Sequence, residues 1–447
     1  MEADTVTATQ LRNSMASRLR DWDGGMLPAP VEAAMRAVPR EAFLPDTPLA
    51  DAYGGSPVVT HRDSRGVATS SASAPGIVAA MLAQLDVRPG HHILEIGAGT
   101  GYNAALLARL AGPAGQVTTV ELDPGIAAEA EKALAAAGHG QVTVVAGDGE
   151  HGYAPRALYD RVIVTAGAWE LPAAWADQLA PGGLVVVPLR MRGLTRCVAF
   201  ERPDDAWCSR SMHECGFMPI RGAGAVAERN IPLGGTGVTI RTDDGQQADP
   251  AALQGALSSG PAQAWTGIEV TVTGELDFWL AGLDGFFRLL AGNDAVTRAS
   301  IAPPAFNWGA MGLLTHDSFA YLTRRPGQPG HSELGACGYG PARVQLIRAY
   351  IDRIRAYHRA QAGGLRIEVH PLTSAPVPGT LMQIDKRNSR VIVLAEAGTT
   401  AINRTGGSRD QHRAGAGQGQ RDRVAERVGL LVDTTWPPTA TRTEPAP

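Results

Sequence analysis

Apolar and polar positions alternate in two different regimes along the chain. Residues 92–96, 116–122, 141–146, 161–165 and 183–188 are short apolar or β-branched runs of the kind that form buried strands. Between them, residues 77–85, 102–111 and 124–137 carry apolar side chains at helical spacing, and Arg88-Pro89-Gly90 stops the first of these helices. Residues 7–20 and 31–38 predict two further short helices ahead of this block. Strands alternating with helices of this length require crossover connections, so the pattern predicts a largely parallel sheet ending near residue 201.

The pattern then loosens. Residues 221–263 are rich in Gly, Ala and Pro with weak periodicity, as expected of a boundary. A second organised region, 264–393, predicts a strand at 267–272, an aromatic segment at 276–290, a long helix at 342–361, and strands at 365–370 and 390–394. Beyond residue 396 the chain becomes Gly, Arg, Thr and Pro with one apolar patch at 428–432, so residues 397–447 read as a disordered tail. The expected division is 1–230, 231–396 and 397–447.

Composition narrows the function classes. The 447 residues carry 40 Lys and Arg against 44 Asp and Glu, and a net charge of −4 offers no global attraction to nucleic acid. Nearly all of the positive charge is arginine, because Lys132 and Lys386 are the two lysines of the chain. Cys197, Cys208, Cys215 and Cys337 form no CxxC pair, which fits neither a zinc site nor a disulfide framework. No apolar stretch approaches the ~20 residues of a membrane span, and residues 1–20 lack the apolar core of a signal peptide. A cytoplasmic protein without metal, membrane or nucleic-acid partner is expected.

Candidate chemistry centres on Leu94-Glu95-Ile96-Gly97-Ala98-Gly99-Thr100-Gly101-Tyr102, between a strand and a helix. Glycines let the backbone turn tightly and approach a ligand at a helix N-terminus. The dinucleotide fingerprint G-x-G-x-x-G would put its third glycine where Tyr102 stands, and no Lys-Ser/Thr follows to make a phosphate loop. The pattern E-x-G-x-G-x-G resembles instead the loop of class I S-adenosylmethionine methyltransferases. An acidic residue is then expected at the end of the next strand for the ribose hydroxyls, and Glu121 stands there. Asp148, in Gly147-Asp148-Gly149, ends the third strand, where adenine lies in that class. Asp123 reads as a helix N-cap.

Residues 26–202 resemble the protein-L-isoaspartate O-methyltransferase family. The resemblance is carried by Val38-Pro39-Arg40-Glu41-Ala42-Phe43-Leu44-Pro45, by Ser73-Ala74-Pro75 before an apolar helix, by Gly147-Asp148-Gly149-Glu150-His151-Gly152-Tyr153, and by Leu179-Ala180-Pro181-Gly182-Gly183. It implies an α/β, Rossmann-like class I methyltransferase domain followed by a smaller α+β C-terminal domain. It also implies S-adenosyl-L-methionine held by Glu95, Gly97, Gly99, Gly101, Glu121, Asp148 and Gly149. Ser73 would orient the acceptor carboxylate, with Ser70 and Ser71 as neighbours; alternatively Ser73 only caps the helix starting near Pro75. A carboxylate is already ionised at neutral pH, so no general base is required and His151 reads as a loop histidine.

The remainder is similar to longer actinobacterial relatives, the FxLD-system methyltransferases of ribosomal peptide maturation. The matching pieces are Cys215-Gly216-Phe217-Met218-Pro219-Ile220-Arg221-Gly222, Leu276-Asp277-Phe278-Trp279-Leu280, Ala320-Tyr321-Leu322-Thr323, Gly338-Tyr339-Gly340-Pro341 and Ile384-Asp385-Lys386-Arg387. This implies esterification of an aspartate in a precursor peptide, followed by ring closure to an aspartimide. The alternatives are general isoaspartyl repair and a non-catalytic cofactor-binding scaffold. Phe278, Trp279, Phe286, Phe287, Phe306, Trp308, Phe319 and Tyr321 either line a peptide groove or form a second core. Arg343, Arg348, Arg353, Arg355 and Arg359 either meet an acidic leader or form a solvated helix face.

Overall fold

The structure is a computed structural model that describes residues 2–22, 27–242, 248–271, 273, 275–360 and 364–395. The tail at 397–447, expected to be disordered, lies outside the described residues.

The strand–helix alternation produces the expected sheet. Five parallel strands stand in the order Thr143–Ala146, Gln116–Glu121, His92–Ile96, Tyr159–Val164, Leu179–Met191. Chain order reverses between His92–Ile96 and Tyr159–Val164, and ligands of open α/β sheets bind outside the strand ends at such a switch point. Helices Tyr102–Ala111, Pro124–Ala136 and Pro75–Leu85 cover the faces. The two central strands are buried at most positions, His92–Ile96 at all but its first residue and Tyr159–Val164 at all but Asp160 and Arg161, as a sheet covered on both faces demands.

The sheet does not stop at residue 201. Leu194–Glu201 and Trp207–Glu214 add antiparallel strands, and the latter pairs with Leu365–Pro371 from near the end of the described chain. Ser389–Ala395 and Thr380–Asp385 then complete a ten-stranded sheet. The loose region 221–263 is also more ordered than its composition suggests. It contains strands Arg229–Pro232 and Thr239–Thr242 and helix Pro250–Ala256.

Those two strands belong to a second sheet of seven antiparallel strands, which also takes in Phe286–Leu290, Gly309–Leu314, Phe319–Pro326, Ser332–Tyr339 and Ala262–Val270. The long helix, Arg343–Ala360, packs on it through Ile347, Tyr350, Ile351 and Ile354. The expected division after residue 230 therefore falls inside strand Arg229–Pro232 of the second sheet and also cuts across the first, to which residues 365–395 return.

The aromatic residues of the second half mostly form core. Phe278, Phe286, Phe287, Phe319 and Tyr321 are buried, and Tyr321 donates its hydroxyl to the Ala302 carbonyl. Trp279, Phe306 and Trp308 are partly buried, the last two stacked with centroids 5.2 Å apart. The helix arginines are divided too. Arg353 donates to the Trp279 carbonyl and Arg343 to that of Gly340, while Arg348 and Arg359 are exposed.

Candidate active site

The glycine loop leaves the first parallel strand at the switch point. Gly97, Gly99 and Gly101 all have positive φ, at 97°, 52° and 86°. At Gly97 a side chain is excluded twice, because a Cβ there would lie 2.5 Å from Thr165 Oγ1. Thr165 follows the fourth parallel strand and donates its hydroxyl to the carbonyls of Ile96 and Gly97, at 2.9 and 2.7 Å. The two strand ends are thereby tied together at the point where the loop begins. Gly101 is the N-cap of helix Tyr102–Ala111.

Glu121 ends the neighbouring strand and reaches this loop. Its Oε2 accepts from the Gly99 amide at 3.1 Å, and its Oε1 accepts from the Asp123 amide at 3.2 Å. A carboxylate has about four acceptor positions, so two remain for further donors. Asp123 caps its helix by accepting from the Gly125 and Ile126 amides. Asp148 lies at the end of the third strand, where its carboxylate accepts from the amides of Glu150 and Ala223. Gly149 begins a short 3-10 turn, and its carbonyl receives the Trp175 indole N–H at 2.8 Å. Exposed His151 closes that turn.

Glu95 is placed differently from the rest of its motif. It is wholly buried behind the loop, and its Oε1 accepts from Asn103 Nδ2 at 2.7 Å. Burial pushes its carboxyl up to about 7. Asn103 stands on the helix that follows the loop, and no part of Glu95 is accessible.

The serines arrive on an element that periodicity did not reveal, a hairpin of Val58–Arg62 and Ala68–Ala72. Its second strand crosses the glycine loop so closely that a Cβ on Gly99 would stand 3.7 Å from both Ser70 Oγ and the Ser71 carbonyl. Ser70 is buried, while Ser71 and Ser73 are partly accessible. Ser73 is not the helix cap; that position is Ala74, which makes no side-chain capping bond.

Arg40 fixes the Ser73 backbone. This buried guanidinium donates to the carbonyls of Ala52 and Ser73, at 2.7 and 2.8 Å, and lies 4.9 Å over the Tyr102 ring. The VPREAF stretch was legible as a motif, but a clamp from Arg40 onto residues 33 positions away was not. The Cys215 to Gly222 stretch was likewise legible as a motif, but its course as a strap through Met218 and Ile220 beside these strand ends was not. Gly167 donates to the Met218 carbonyl and Ile220 to that of Gly167. The strap then delivers Arg221 to 3.8 Å from Glu121, and Ala223 to Asp148. Burial and the nearby Glu170 raise the Glu150 carboxyl beside it. Among the described residues no group of three or more His, Cys, Asp or Glu side chains could hold a metal ion.

The sequence profile of the family described as Protein-L-isoaspartate(D-aspartate) O-methyltransferase matches residues 12–224. A protein-L-isoaspartate O-methyltransferase from Methanopyrus kandleri is 39% identical over 224 residues, covering 50% of this chain and 96% of that protein. Protein-L-isoaspartate O-methyltransferase 1 from Rhodopseudomonas palustris is 43% identical over 196 residues, covering 43% of this chain and 76% of its own. A solved structure titled protein-L-isoaspartate O-methyltransferase covers 80% of this chain and 96% of its own, at 20% identity and a TM-score of 0.46.

Proposed function

Because the chain belongs to the protein-L-isoaspartate O-methyltransferase family, we propose that it esterifies an aspartyl side-chain carboxylate in an acidic precursor peptide, the first step towards an aspartimide. The enzyme is an S-adenosylmethionine-dependent carboxyl methyltransferase with a class I fold. The residues at the switch point suit that cofactor. The positive-φ loop lets backbone approach a ligand, and Glu121 keeps acceptor positions open beside it for ribose hydroxyls. In this reading Gly97, Gly99 and Gly101 cradle the cofactor, Glu121 binds its ribose, and Asp148 and Gly149 border its adenine. When bound, the cofactor supplies an activated methyl group.

The protein then has one main task, which is alignment. Its acceptor is a carboxylate, ionised at neutral pH from a pKa of about 4, so no side chain must remove a proton. Holding two reactants in line contributes up to ~7–11 kcal/mol. Ser73, at the end of the hairpin that crosses the glycine loop, donates its hydroxyl to one acceptor oxygen and leaves the other to attack. Ser70 and Ser71 flank it. Arg40 holds the Ser73 carbonyl and so sets where that hydroxyl starts.

One observation carries the peptide reading. The Methanopyrus kandleri relative is matched over 96% of its length by half of this chain, and the additional half is woven into the catalytic sheet through Trp207–Glu214 and Leu365–Pro371. An addition built onto the reaction domain is suited to choosing the acceptor. A second reading, isoaspartyl repair, is favoured by the names of the matched relatives, which are protein-L-isoaspartate O-methyltransferases.

Intact-mass analysis of peptides incubated with enzyme and cofactor separates the two. Faster methylation of a normal aspartate in an acidic peptide, followed by net loss of one water, is expected. Turnover confined to a generic isoaspartyl peptide would instead establish repair. In either case Ser73→Ala should lower kcat by ~100-fold or more, as loss of a donor aimed at the reacting group does. Undiminished turnover removes Ser73 from the mechanism.

A further inference from the structure

The hairpin of Thr380–Asp385 and Ser389–Ala395 forms the far edge of the ten-stranded sheet, and its tip bonds to Trp169, Glu170, Arg190 and Ala223. There Lys386 is buried, and its ammonium donates to the carbonyls of Trp169 and, at 2.6 Å, Arg190. It also stands 4.3 Å from the centre of the Trp169 ring. Next to it, the Asn388 amide and side-chain nitrogen both donate to Glu170, at 3.1 and 3.0 Å. Arg387 donates to the Ala223 carbonyl of the strap.

Trp169 and Glu170 belong to the loop that follows the fourth parallel strand. On its other side this loop is fastened to the reaction centre. Thr165 bonds to Gly97, Gly167 to the strap, and Ala168 to the carbonyl of Pro188. The loop is thus held between the glycine loop and the hairpin tip.

The choice of residue supports a dedicated role. Of the 40 basic residues only two are lysines, and one of them is Lys386. Two backbone carbonyls converging from different elements suit a compact ammonium with three rotatable donors better than a planar guanidinium fork. Removing an ammonium from water is unfavourable unless its donors are satisfied, and here carbonyls and an indole face replace the water.

We propose that Lys386, supported by Asn388, is a positioning residue for methyl transfer: it holds the loop 165–171 in register with the glycine loop, so that the C-terminal half of the chain sets the geometry of the reaction centre. This goes beyond acceptor choice. Its kinetic consequence rests on the carboxyl-methyltransferase reading, whereas its structural consequence does not.

The test uses the whole chain carrying Lys386→Met, with Asn388→Ala as a milder change at an exposed residue. Amide exchange at Gly167, Ala168 and Arg190, all bonded through this loop, should accelerate at least tenfold in Lys386→Met. Its kcat should fall at least tenfold, while the dissociation constant of S-adenosylmethionine moves less than threefold. Asn388→Ala should shift exchange and kcat in the same direction by about threefold. Unchanged exchange, or a lower melting temperature with unchanged kcat in the folded variant, overturns the proposal. If Lys386→Met does not fold, wild-type exchange and kcat in Asn388→Ala overturn it. Should the wild-type enzyme methylate no carboxylate, the functional reading fails, and exchange still decides whether the loop is braced.

Discussion

Glu95 shows how a motif residue can serve its site from behind. Its carboxyl is wholly buried, faces Asn103, and is raised by burial to about 7 from an ordinary value of 4.5. Between these values the folded state holds a proton that the unfolded chain has lost. Stability must therefore decline as pH rises through that window and level off above it. A displacement of this size corresponds to about 3 kcal/mol. Glu95→Gln keeps the acceptor for Asn103 and abolishes the titration. Urea denaturation from pH 4.5 to 8 should show the wild type losing stability relative to the variant, and parallel profiles would count against this account. Because Glu95 faces the helix, the same substitution should leave S-adenosylmethionine affinity within about threefold. Calorimetric titration checks this, and a larger loss would restore direct contact.

At the scale of elements, the glycine loop works because two strand ends are pulled together around it. Gly97→Ala would push a methyl group to 2.5 Å from Thr165 Oγ1 at a φ of 97°, a conformation that costs side-chain-bearing residues of order 1–3 kcal/mol. The expected result is at least a tenfold loss of cofactor affinity by calorimetry. Adding Thr165→Ala should restore part of it by removing the hydroxyl while leaving the backbone strain. No rescue would mean that the collision is not the cause. This loop and its helix were legible from sequence, since periodicity and glycine spacing are local signals: the strand His92–Ile96 and the helix Tyr102–Ala111 fall where the pattern puts them. The serine hairpin was not, because Val58–Arg62 and Ala68–Ala72 are short, largely polar and irregular in register. Nor was the Arg40 clamp, which spans an interval that periodicity does not register. The strand expected at 267–272 begins earlier, as Ala262–Val270, because pairing with Ser332–Tyr339 extends it through Gln263 and Ala264.

The whole molecule is continuous where composition suggested a seam. Strand pairing between Trp207–Glu214 and Leu365–Pro371 joins residues over 150 positions apart, and no local pattern reports such a partner. The core is equally shared: Val187, Leu189, Met191 and Phe200 of the catalytic sheet belong to one buried cluster with Phe278, Phe287 and Tyr350. Charge crosses the same surface. Arg196 pairs with Asp277 while nearly inaccessible, and Arg192 donates to the Ala281 carbonyl. Removing one partner of a buried pair costs roughly 3–5 kcal/mol, a large part of the 5–15 kcal/mol that typically stabilises a domain. A chain ended after residue 230 loses that partner, three strands of the first sheet and about two thirds of the cluster together, and gains a contiguous apolar face of the kind that drives association. It should be recovered aggregated or without a cooperative thermal transition. Separately folding halves would instead give a monomeric fragment with its own sharp melt and undiminished S-adenosylmethionine affinity. Size-exclusion chromatography and calorimetry of the fragment beside the full chain distinguish these outcomes, because only a shared core makes the methyltransferase fold depend on residues far beyond the stretch that resembles its shorter relatives.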